Sequence, residues 1–200
     1  IVIQEAATRA LRNGMSLHIL FEQLRDIRSD VRIPLILMGY LNPIMKFGFE
    51  AFCQKCVECG IDGVIIPDLP FKDYEETYKP IADRYDIRVI MLITPETSEA
   101  RVREIDEHTD GFIYMVSSAA TTGAQKDFDS QKQAYFKKIQ DMHLRNPRMV
   151  GFGISNKQTF DAACANSSGA IIGSRFVTLL NEAEGDAEKA ITQLKEGLKK

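Results

Sequence analysis

The chain has 200 residues, 44% of them hydrophobic, and a formal net charge of −3, its 25 Lys and Arg residues scattered singly. That length and content suit one buried core in one domain spanning 1–200, and the charge pattern argues against a nucleic-acid or anionic-membrane surface. No apolar run approaches the roughly 18 residues of a membrane span, and 4 cysteines, three of them crowded together, do not make a secreted disulfide framework, so the cytoplasm is the expected compartment.

In chain order, a helix-like stretch at 5–12 closes at Asn13-Gly14 and is followed by helical periodicity at 17–28. Apolar runs at 34–39, 63–67, 88–93, 111–116, 148–152 and 169–172 then alternate with helical stretches at 49–59, 73–85, 98–108, 131–146 and 156–165. Ser130 with Gln133, and Ser155 with Gln158, carry the spacing of a capping box. The last segment, through Ala187, Ile191, Leu194 and Leu198, is amphipathic and ends in lysines that suit the helix dipole.

Strands that are apolar throughout predict a parallel sheet covered on both faces, and their regular alternation with helices predicts βα units. Six such strands fall short of the eight in a (β/α)8 barrel of about 250 residues. The expectation is therefore an α/β fold, a TIM barrel with roughly its first two strands missing from the chain, N-terminally incomplete and part of a longer folded protein. An open doubly wound sheet of six strands is the alternative, weakened because no Gly-x-Gly-x-x-Gly follows the first strand.

Two segments point to chemistry: Gly151-Phe-Gly-Ile-Ser155 and Gly169-Ala-Ile-Ile-Gly-Ser174. Each is a strand ending in glycine and then a helix-starting serine. Glycine lets backbone N–H groups approach an anion, and the helix N-terminus adds partial positive charge. Consecutive copies at the end of a βα array are how a barrel holds a phosphate. A phosphate ester held without Lys or Arg is thus the expected ligand.

Barrel active sites lie at the C-terminal ends of the strands. Asp62 and Asp110 precede their strands and belong to the opposite, stability face, whereas Asp68 and Glu96 follow theirs. For Asp68, capping of local N–H groups weighs equally with function; Glu96 reads as a solvated loop residue. Cys53, Cys56 and Cys59 have tempting spacing, but 59 falls off the helical face of the other two and no histidine is near, so buried thiols are the reading and no metal is expected. Tyr40 and Asn42 follow the first strand, Tyr114 lies late in its strand with a core role and a functional role equally open, and the small, polar 117–125 segment reads as a lid.

Tyr40-x-Asn-Pro43, the run Gly60-Ile-Asp-Gly-Val-Ile-Ile-Pro-Asp-Leu-Pro70, Thr94-Pro95, Tyr114 with Thr122-Gly123, and the two glycine segments occur in the order that resembles the tryptophan synthase α-subunit family. The resemblance spans the chain from Ile3-Gln4 to the last helix. It implies a barrel that cleaves indole-3-glycerol phosphate to indole and glyceraldehyde 3-phosphate, uses no cofactor, and passes indole to a pyridoxal-phosphate-dependent β subunit in an αββα heterotetramer. It further implies that Gly123, Gly153, Gly173 and Ser174 bind phosphate through backbone N–H groups, with Phe152 and Ile154 flanking the glycerol-phosphate arm. Ile3, Met38, Tyr40, Ile65, Pro67, Ile93, Tyr114 and Ile171 would line the indole pocket, Tyr114 in an auxiliary catalytic role. Thr122 would be the lid threonine, and Asn42 and Asp68 would sit near the β-subunit face. The family's acid–base glutamate and its indole-binding aspartate have no counterpart in this sequence, and Ser118 and Ala120 depart from the lid pattern; these 200 residues alone are expected to show no turnover. The competing readings are another phosphate-binding barrel, an isomerase or synthase, disfavoured because no strand ends in Lys, and a non-catalytic phosphate-binding module.

Overall fold

The computed structural model describes residues 2–116, 125–151 and 153–199. Among the described residues there are seven short strands, separated by helices except between the third and fourth: β1 (Ile36–Met38), β2 (Gly63–Ile65), β3 (Arg88–Ile90), β4 (Leu92–Ile93), β5 (Ile113–Val116), β6 (Arg148–Gly151) and β7 (Gly169–Ala170). Every pairing is parallel, in the orders β1-β2-β3 and β4-β5-β6-β7. The chain passes from β3 to β4 through Met91 alone, whose carbonyl accepts from the Tyr114 amide at 3.0 Å. The two are halves of one strand, so the expected six strands stand side by side in sequence order. Among the described residues β1 and β7 each have one neighbour and the ring is not closed.

The helices are α1 (Val2–Arg12), α2 (Leu17–Leu24), α3 (Leu41–Phe47), α4 (Phe49–Glu58), α5 (Phe71–Asp73), α6 (Lys79–Arg84), α7 (Glu99–His108), α8 (Gln125–Asp141), α9 (Lys157–Cys164), α10 (Ser174–Glu182) and α11 (Ala187–Gly197), with a π turn at Tyr74–Tyr78 joining α5 to α6. Two sequence-derived starts are corrected. Helix α8 begins at Gln125, so Ser130 is interior to it. Helix α9 is capped by Asn156, not Ser155: Asn156 Oδ1 accepts from the Thr159 amide at 2.9 Å while Thr159 Oγ1 accepts from the Asn156 amide at 3.2 Å. The reciprocal box is there, one residue later, because Asn caps as well as Ser and Thr159 closes it.

Period-2 alternation splits the sheet into two faces. Val64, Val89, Met91, Ile93, Ile113, Met115 and Val150 pack with the helices in the main core, whereas Ile65, Ile90 and Tyr114 form a second cluster with Ile36, Leu92, Phe112, Val116 and Ile171 on the inner face. Cys53, Cys56 and Cys59 all lie in the main core. Cys59 was expected off the helix face, but it sits at the end of α4 where α2 covers it, and its Sγ donates to the Phe21 carbonyl. Burial, with Glu50 nearby, pushes the Cys53 thiol up to about 12. Burial also raises Cys56, where Cys53 and Cys59 add to the effect, so these are packing groups rather than reactive thiols.

The N-terminal strand ends carry the anchoring polar contacts, as the sequence places them. Asp62 Oδ2 accepts from the Leu35 amide at 2.7 Å and pairs with Arg28, whose guanidinium also donates to the Gly60, Val31 and Ile33 carbonyls. Asp110 pairs with Arg145 at 2.8 Å. The Leu35 amide and Arg28 hold the Asp62 carboxyl below the usual range, and Arg145 does the same for Asp110. A depressed carboxyl contributes stability that is complete above its unfolded pKa, about 4, and is lost as pH falls through the folded value. Asp62 is half-exposed, so its contribution is at most about 0.5 kcal/mol. Urea midpoints at pH 6 and pH 3 should therefore differ by slightly less in Asp62→Asn than in the parent; a larger difference in the variant would contradict this anchoring.

Candidate active site at the C-terminal strand ends

The last two strands end in the glycines that the sequence singles out. After β6, Gly153 holds φ at +76°, a left-handed conformation that an L side chain resists. The chain then enters α9 with the Ser155 and Asn156 amides both donating to Thr159 Oγ1. After β7, Gly173 is the N-cap of α10, and Ser174 is its first helical residue rather than its cap. Here the two junctions differ. Ser16, Ser98, Asn156 and Asp186 each cap their helices through a side-chain oxygen, but no side chain caps α10. Its first-turn amides thus face the strand-end side with the helix dipole behind them. The wall over Gly173 is Ile3 of α1, whose Cδ1 lies 3.3 Å from where a Cβ on Gly173 would be.

Tyr114 is 4% exposed, and burial raises its phenol pKa. Its ring crosses from β5 to lie against Gly151 on β6, where any Cβ would overlap the phenol. Ile65 and Ile171 share its inner-face cluster. Ile93, expected in the pocket, does not: it is 0% exposed and lies in the core between sheet and helices. Leu92 holds the inner position instead, paired in register with Tyr114, and is a candidate lining residue that sequence reasoning missed.

The other expected positions are spread around this mouth. Met38 and Tyr40 are 53% and 58% exposed at the end of β1, which has a neighbour on one side only. Ile154 is buried in the main core, and Pro67 borders an outer groove with Phe71, Lys72, Thr97 and Arg101 rather than the inner face. Asp68 resolves into a cap, though not a local one: its Oδ1 accepts from the Leu41 amide at 2.9 Å, supplying α3 with the oxygen that Tyr40 at its N-cap does not. Asp68 thereby ties the loop after β2 to the one carrying Asn42. Glu96 is exposed, in the turn where Thr94 and Thr97 bond each other. Thr122, Gly123, Phe152, Ser118 and Ala120 lie outside the described residues. Among the described residues no cluster of His, Cys, Asp and Glu could hold a metal ion, and no helix is long and apolar enough to cross a membrane.

Parallel βα units whose last two junctions are glycine-ended are the building units of the (β/α) barrel class. A family model described as tryptophan synthase alpha chain matches residues 1–200. A tryptophan synthase alpha chain of Bacteroides fragilis is 80% identical over 194 residues, 97% of this chain and 73% of that protein. The solved tryptophan synthase A-subunit of Pyrococcus furiosus superimposes with a TM-score of 0.86 at 29% identity, covering 98% of this chain and 79% of that one. A chain of the Pyrococcus furiosus tryptophan synthase complex gives 0.84 at 27% identity, over 98% and 78%. The chain belongs to the tryptophan synthase alpha chain family, whose fold is the TIM barrel. It is an enzyme of tryptophan biosynthesis, and its reaction is the cleavage of indole-3-glycerol phosphate.

Proposed function

We propose that the phosphate of indole-3-glycerol phosphate is held by the N-terminus of α10 at Gly173 and Ser174 together with Gly153 and Gly123, while Tyr114, Ile65, Ile171 and Leu92 receive the indole ring. The start of α10 carries this reading: its N-cap is Gly173 at the C-terminal strand ends and no side chain caps it, whereas Asn156 caps the neighbouring α9. Backbone N–H donors fit a phosphate dianion without placing a cation against the neutral indole. In the retro-aldol cleavage, protonation at indole C3 weakens the bond to the glycerol carbon, and loss of the hydroxyl proton releases indole and glyceraldehyde 3-phosphate. We assign binding and positioning to the residues described here. Proton transfer is not assigned to Asp68, which is engaged with the Leu41 amide, or to Glu96, which faces solvent.

The reading extends to a β subunit that takes up the indole, docked on the face of Asn42 and Asp68, where the Asp68 cap joins two loops into one surface. The solved Pyrococcus furiosus protein described as a tryptophan synthase complex supports a partner of that kind. No cofactor is assigned to this chain, and a cytoplasmic site for the reaction completes the proposal.

Titration of the full-length protein with glycerol 3-phosphate, alongside an assay of indole release, tests the phosphate site. Gly173→Ala adds a Cβ that meets only the flexible tip of Ile3, and is expected to bind within a few-fold of the parent. Gly173→Val puts methyl groups where the phosphate approaches and is expected to cost about 2 kcal/mol, roughly 30-fold, in affinity. Equal binding by Gly173→Val and the parent would remove the assignment.

A further inference from the structure

Helix α1 is an anomaly in the packing. None of its described residues is buried, and the element it packs against most is α10. Two of its contacts with α10 stand at separate points along the helix. Ile3 rests over Gly173, and Arg9 Nη2 donates to Asn181 Oδ1 at 2.9 Å, across 172 positions of sequence. On α10 these points lie about 12 Å apart and on α1 about 9 Å, at about 1.5 Å per helical residue. The start of α1 meets the start of α10, and the far part of α1 meets the far part of α10. The helices therefore lie side by side in the same direction, pinned at one point on the proposed phosphate site and at another well away from it. The remote pin is electrostatically apt, because a guanidinium at the last turn of α10 complements its negative dipole end.

We infer that Arg9 and Asn181 form a positioning pair, which touches no ligand but keeps α1 alongside α10 and so holds Ile3 as the wall over Gly173. The inference rests on the phosphate site being where α10 begins. Without the remote pin α1 keeps only apolar packing from its half-buried Val2, Ala6 and Ala10 and loses the polar tie that fixes its far part, so the wall of the site loosens. Substitutions at Arg9 should then act on ligand affinity while leaving global stability nearly unchanged, since a surface element without buried residues adds little to the core.

The test uses the full-length protein, with glycerol 3-phosphate affinity and thermal midpoint read for each variant. Arg9→Ala is expected to weaken binding about fivefold, in keeping with the loss of one hydrogen bond to a charged group at an exposed site, with its midpoint nearly unmoved. Asn181→Ala should match it, and the double variant should be no worse than either single one. Asn181→Asp, which turns the contact into a charge-assisted bond, should bind at least as well as the parent. Arg9→Ala binding as tightly as a parent that itself binds would overturn the pair's role and leave the phosphate site standing. So would single effects that simply add, or a fall in thermal midpoint with no change in affinity. A parent that takes up no glycerol 3-phosphate overturns the phosphate site and this inference with it.

Discussion

Asp106→Ala is expected to lower unfolding stability by about 4 kcal/mol, from the cost of leaving several buried or half-buried donors without acceptors. Asp106 sits in the last turn of α7 and its carboxylate takes the Arg145 amide at 2.7 Å, the Asn146 amide at 2.8 Å and Asn146 Nδ2 at 2.9 Å. Those two residues return the contact, Arg145 Nη2 and Asn146 Nδ2 both donating to the Asp106 and Thr109 carbonyls at 2.7–3.0 Å. The network therefore closes the end of α7 onto the segment that enters β6. Removing the carboxylate strands two backbone amides and disorganises both side chains, a large fraction of a total of about 5–15 kcal/mol for a domain. Asp106→Asn keeps one acceptor but turns an NH2 toward donors, so it should fall between alanine and the parent. Urea unfolding checks the order. Because the network lies at the N-terminal strand ends, glycerol 3-phosphate affinity measured where the variant is folded should be unchanged; a lower affinity would show that this face communicates with the site.

The strands were legible because each is apolar on both faces and bounded by turn residues, and all six were found in order. That same uniformity hid their phase. In the 88–93 run nothing in the composition says which side chains face inward; only the pairing of Ile65 with Ile90 and of Leu92 with Tyr114 does so. The family resemblance puts Ile93 in the pocket, whereas the register turns Leu92 inward and Ile93 to the core. Helix starts failed for a related reason. Ser155 and Asn156 are both competent caps, and the choice between them depends on where the backbone leaves Gly153 with its positive φ.

The glycine junction after β6 was legible because the positive φ of Gly153 calls for glycine whatever the surroundings. Side-chain ties between distant segments were not. Asp68 reads as a local cap, yet it serves the Leu41 amide 27 residues away, and the bond from Arg9 to Asn181 has no sequence signature at all. Cys59 fell off the expected helical face only because the rotation argument treats α4 as isolated. Helix α2 supplies the second wall through Phe21.

Gly151→Ala is expected to be strongly damaging, its Cβ meeting the tightest obstruction among the described glycines. Gly151 has no positive φ, so the backbone itself tolerates alanine; the obstacle is Tyr114, whose hydroxyl and ring occupy the space a Cβ would take. The phenol cannot step aside cheaply, because it is packed with Ile65 and Ile90 on the inner face, and β5 is locked to β6 with Val116 opposite Gly151. Overpacking of this kind costs about 3 kcal/mol, and any ring that does move enters the space proposed for indole, so indole release by the full-length protein should fall by more than 100-fold, about 2.7 kcal/mol of lost transition-state stabilisation. Gly169→Ala is the internal control. Its Cβ would meet Met149 Cε at 2.8 Å, but that is the end of an unbranched side chain that can swing away, and the loss should stay below about 1 kcal/mol. A double-mutant cycle isolates the cause. In a Tyr114→Ala background, already weakened by the cavity it creates, Gly151→Ala should add almost nothing, giving a coupling of about 2–3 kcal/mol by urea unfolding. Strictly additive losses would mean that Gly151 is needed for something other than making room for Tyr114.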